Sequence, residues 1–184
     1  AAGTIPFWDS GWYAGYPIFD FYPPMSYYLT VFLSYLVPSS LSMVFNYVMI
    51  LSYIYIAVGA FTLARKLNLN LFSSFLAGLI IISSPRLAAN AMFSGQFPTI
   101  VAFSMVPLSL YVFIKTFEER RSALFMLSGA LIGLNIVTHN LTGYFLAMMF
   151  ALFFFIFSVK HKKLEIAGFA KSVLVAGLLS SFWV

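Results

Sequence analysis

"LSMVFNYVMILSYIYIAVGAFTLA", residues 41–64, runs without a single charge until Arg65-Lys66 closes it. At 1.5 Å per residue a helix over this stretch is about 36 Å long, enough to cross a hydrocarbon core of about 30 Å. The rest of the 184-residue chain has the same character. It is 62% hydrophobic and 8% charged, with a mean hydropathy of +0.96, where a soluble domain carries roughly 25% charged residues. An all-α, polytopic membrane protein is therefore expected.

Five further runs of this kind follow, at 68–84, 98–115, 121–138, 142–159 and 164–184. With 41–64 they make six expected spans in one membrane domain, preceded by residues 1–40. Residues 25–37, bracketed by Pro23-Pro24 and Pro38, would reach only about 20 Å as a helix and are expected to be interfacial or re-entrant. Tyr27, Tyr28 and Tyr35 suit the headgroup boundary. The sequence begins without methionine and ends inside an apolar run, so it is expected to be a piece of a longer chain.

The ten Lys and Arg residues, which give a net charge of +5, sit in small clusters between the apolar runs. That arrangement sets topology and does not form a nucleic-acid face. Arg65 and Lys66, then Lys115, Arg120 and Arg121, then Lys160, Lys162 and Lys163 mark alternate breaks, which should be cytoplasmic. Residues 1–40, 85–97 and 139–141 then fall on the other, extracytoplasmic side. This assignment, made from charge alone, gathers Asp9, Asp20, Arg86, Gln96, His139 and Asn140 on one face. The chain has no cysteine, which excludes disulfides, thiolate metal sites and cysteine nucleophiles.

The aromatic stretch "FWDSGWYAGYPIFDFYPPMSYY", residues 7–28, holds the only two aspartates, Asp9 and Asp20. Its rings, Trp12 and Tyr22 among them, suit either an interfacial belt or a surface for stacking sugars. Carboxylates among rings at a membrane surface must be hydrated, paired or metal-bound. Either aspartate can act as general base toward an acceptor hydroxyl, or hold a divalent cation against a phosphate; Asp9 in "WDSGW" equally fits a turn cap. Whether any metal is used stays open.

In "SSPRLAANAMFSGQFPT", residues 83–99, Pro85 is expected to end one span and Pro98 to open the next. Arg86 between them has no acid nearby in sequence. It fits phosphate bidentately, or snorkels to the headgroups; Gln96 is a turn residue or a sugar or phosphate ligand at a helix start. His139 and Asn140, in "VTHNLTGYF", interrupt a hairpin where a short turn would suffice. They are substrate ligands or plain turn residues. Lys171, inside the last run, is expected to snorkel, and Gly129 with Gly133 to mark close helix contact.

Taken together, "FWDSGWYAGYPIFDFYPPMSYYL", "FSGQFPT", "VTHNLTGYF" and the final "LLSSFWV" resemble a group of prokaryotic membrane proteins of the GT-C glycosyltransferase type. The resemblance implies an enzyme that moves a sugar from a polyprenyl-phosphate carrier to an acceptor outside the plasma membrane. Asp20 or Asp9 would be the catalytic carboxylate, and Arg86, Gln96, His139, Asn140, Trp12 and Tyr22 would bind substrate. The acidic residue of that group commonly lies just after a first transmembrane helix, upstream of anything in this sequence. The implied partners are membrane lipid and a lipid-linked sugar. A transporter or flippase of lipid-linked substrates, and a non-catalytic subunit docked on other membrane subunits, are the alternatives.

Overall fold

The computed structural model describes Gly15 and residues 22–92, 96–161 and 165–182. Every regular element among them is a helix: α1 (Met25–Leu36), α2 (Leu41–Lys66), α3 (Leu71–Ile82), α4 (Pro85–Met92), α5 (Phe97–Glu119), α6 (Ser122–Thr138), α7 (Asn140–His161) and α8 (Ile166–Ser180). α2, α5, α7 and the α3–α4 pair up to Asn90 are long and apolar enough to cross a membrane. α6 and α8 are apolar but shorter, at 17 and 15 residues. The protein is an all-α membrane bundle, and all six apolar runs are helical.

Local chemistry sets the boundaries. Ser40 and Asn70 cap α2 and α3 by accepting the backbone N–H of Met43 and Ser73, which satisfies donors that a helix start leaves orphaned. Pro98 sits in the first turn of α5, where a missing N–H costs nothing. At the far end of α5, Arg120 turns into the left-handed region (φ 54°) and stops the helix. Pro85, expected only to end a span, also opens α4 after a break at Ser83-Ser84. Proline lacks the N–H that continuing α3 would require, yet its fixed φ suits a first helical position.

Two seams hold the bundle. Between α5, α6, α7 and α8 lies a core built on Phe113, Phe117, Phe125, Phe150 and Phe154, with the Phe117 and Phe125 rings edge to face at 5.7 Å. Along α6, Gly129 and Gly133 meet the backbone of Ser172 and Ala176 on α8, the close approach expected of that glycine pair. Hydroxyls reinforce the seams. Thr116 on α5 and Ser128 on α6 hydrogen-bond at 2.9 Å, and Ser172 donates to the Phe125 carbonyl at 2.7 Å. On the other side of α5, Gly59 of α2 faces the mid-helix Pro107.

The charges polarise the molecule. Lys66 pairs with Glu118, Arg121 with Glu119 at 3.5 Å, and Arg120 with Glu165 at 3.6 Å, so the C-termini of α2 and α5 meet the start of α8 at one end. Lys171 reaches Ser122 at 2.8 Å, toward that same end. Arg86, Gln96 and His139 lie at the other.

Candidate functional site

At the end opposite the ion pairs, α1, α4, α5 and α7 surround a cleft of about 960 Å³. α4 contributes Arg86 and Asn90, one turn apart on one face; the first turn of α5 contributes Pro98 and Thr99, just after Gln96; His139 and Thr142 stand at the start of α7, Tyr22 comes from the segment leading into α1 and Tyr27 from its first turn. Below them the lining turns apolar, with Phe103 and Val106 on α5 and Phe145 and Met148 on α7. A polar mouth thus continues into a hydrocarbon-compatible wall.

α4 is held in place by its opposite face. Leu87 is buried against Ile56 and Ile100, and the Tyr53 hydroxyl donates to the Leu87 carbonyl at 2.9 Å. The backbone N–H of Gln96 closes onto the Asn90 carbonyl at 3.1 Å, tying the end of α4 to the start of α5. This anchoring leaves the Arg86 guanidinium exposed at the cleft. Among the described residues it meets no carboxylate, because Glu118, Glu119 and Glu165 all lie at the far end. α5 and α7 also begin at the cleft, and helix N-termini carry partial positive charge. An anion is the natural complement.

His139 serves as a cap for α7. Its Nδ1 accepts the Thr142 N–H at 3.4 Å and lies 2.8 Å from the Thr142 hydroxyl. Accepting at Nδ1 places the proton of the neutral ring on Nε2. Burial holds the imidazole below the ordinary histidine value, so the ring at neutral pH is an uncharged donor. Burial, with Tyr22 beside it, pushes the Tyr27 phenol up, which keeps that hydroxyl protonated as well.

Residues 19–184 match the family described as 6-pyruvoyl-tetrahydropterin synthase related domain, membrane protein. The chain belongs to this family. Neither the curated proteins nor the solved structures hold a significant match to it. Within this member of the family, four residues expected from sequence to bind substrate, Tyr22, Arg86, Gln96 and His139, line one cleft. Asn140 does not line it; its carboxamide oxygen accepts the Leu141 N–H at 2.7 Å and helps start α7. Asp9, Asp20 and Trp12 lie outside the described residues. Among the described residues no three His, Cys, Asp or Glu side chains gather in a way that could hold a metal.

The sequence reading missed Asn90 and Thr99. Both line the cleft, both are more than nine-tenths buried, at 6% and 7% exposed, and α4 and α5 are what bring them together. A polar residue in a short amphipathic helix leaves no spacing signature, so only the assembled helices reveal it.

Proposed function

We propose that this protein is a membrane glycosyltransferase of the GT-C type, taking a sugar from a polyprenyl-phosphate carrier and passing it to an acceptor at the outer face of a prokaryotic plasma membrane. The observation that carries this reading is Arg86. It is a cation with no described carboxylate near it, placed at the mouth of a cleft whose deeper wall is apolar. A polyprenyl phosphate has the same two halves.

In this reading residues 1–40, 85–97 and 139–141 face outward, following the excess of Lys and Arg at the other end. The bond between the sugar's anomeric carbon and the phosphate oxygen breaks as the acceptor oxygen bonds to that carbon. Arg86, with the N-termini of α5 and α7, stabilises the departing phosphate. The His139 Nε2–H adds a neutral donor. Asp20 takes the acceptor's proton, and the aromatic loop, including Trp12 and Tyr22, stacks on sugar faces.

The test is transfer from a lipid-linked sugar by the purified full-length protein. Arg86→Ala and Asp20→Asn should each lower the rate about 100-fold or more. Unchanged transfer in both variants overturns the assignment. Movement of the lipid-linked sugar across the bilayer without transfer would identify a flippase, and inactivity in both assays a docking subunit.

A further inference from the structure

Asn90 and Thr99 stand apart from the polar atoms sealed inside the bundle without a partner, which among the described residues are Ser26 Oγ and Asn135 Oδ1. Among the described residues neither side chain makes a hydrogen bond, yet each is more than nine-tenths buried, and both line the cleft. Their polar atoms are not sealed off in that way but open on the cleft, where a ligand can supply the partners that the protein does not. Thr142, across the cleft, differs in that its hydroxyl is already engaged by His139 at 2.8 Å.

We infer that Asn90 and Thr99 form the selectivity site for the hydroxyls of a sugar carried on the phosphate that Arg86 binds; this rests on the lipid-linked-sugar reading above. The chemistry of the two groups separates them from the phosphate site. A phosphate accepts hydrogen bonds and repels acceptors, whereas the Asn90 carboxamide presents an acceptor oxygen beside its two donors, and the Thr99 hydroxyl does both. A hydroxyl-bearing ring offers that same mixture. Spacing agrees: four residues along α4 separate Asn90 from Arg86 by about 6 Å, on the order of one sugar ring. The anchoring of α4 through Leu87 and the Tyr53 hydroxyl holds Asn90 where it stands before any ligand arrives.

The experiment compares farnesyl phosphate with farnesyl-phosphate-linked glucose, mannose and galactose, each titrated into full-length protein in nanodiscs. The wild type should bind at least one hexose probe about tenfold or more tightly than the bare phosphate. Asn90→Leu, and independently the near-isosteric Thr99→Val, should collapse that ratio about tenfold, because a site built around hydrogen bonds discriminates through them. Both variants should unfold close to the wild-type temperature, since neither breaks a side-chain hydrogen bond within the described residues. A wild type with no preference for any hexose probe, or an unchanged ratio in both folded variants, overturns the inference. The two readings fail separately. Arg86→Ala abolishing the binding of every probe while Asn90→Leu keeps the ratio leaves the phosphate reading standing and removes this one; Arg86→Ala binding all probes as the wild type does removes the phosphate reading.

Discussion

Arg86 and His139 both face the cleft, but differ in the charge they bring to it. Arg86 brings a guanidinium that meets no carboxylate among the described residues. His139 is held neutral by burial, while its Nδ1 accepts at the start of α7. Because its folded pKa lies below the ordinary value of about 6.5, the stabilisation it gives is complete above that value and is lost as pH falls through the folded pKa. The thermal midpoint of the wild type should therefore drop on acidification from pH 7 to pH 5, and His139→Gln, which cannot titrate, should flatten part of that slope. An unchanged slope in the variant would show that His139 is not the group titrating.

Helix by helix, close approach does the stabilising work, since lipid offers little hydrophobic drive for helix association. A Cβ at Gly129 would press on the Ser172 backbone, so Gly129→Ala should destabilise the bundle by about 1–3 kcal/mol. At Gly177 a Cβ would meet nothing within 4 Å. Gly177→Ala should be neutral, or stabilising by up to about 1 kcal/mol through helix propensity. Unfolding both variants in detergent beside the wild type checks the contrast. Thr116→Val should cost about 0.6 kcal/mol by breaking the bond to Ser128. The break at Ser83-Ser84 belongs to this scale too: α4 exists because Pro85 cannot extend α3, and it then packs through Leu87.

For the whole molecule, the ion pairs and the cleft occupy opposite ends. The natural absence of cysteine makes this directly testable. Single cysteines at Gln96 and Leu141 should label with an impermeant reagent from outside intact cells, and cysteines at Arg65 and Glu119 only after permeabilisation. Labelling of Gln96 and Leu141 from opposite sides would dismantle the shared cleft mouth.

The six apolar helices and the Gly129/Gly133 contact were legible because lipid imposes length, hydropathy and small-residue spacing on the chain residue by residue. Arg86 and His139 stood out as polar residues interrupting apolar runs. Asn90 and Thr99 did not, because an asparagine in an eight-residue helix and a threonine in a first turn look like any surface residue until their neighbours are in place. Nor did the sequence separate Asn140, spent on its own helix start, from His139 beside it. What each segment must do in a bilayer is set by local composition; which side chains share a cleft is set by how α4, α5 and α7 pack, since a cleft is a property of the space between helices.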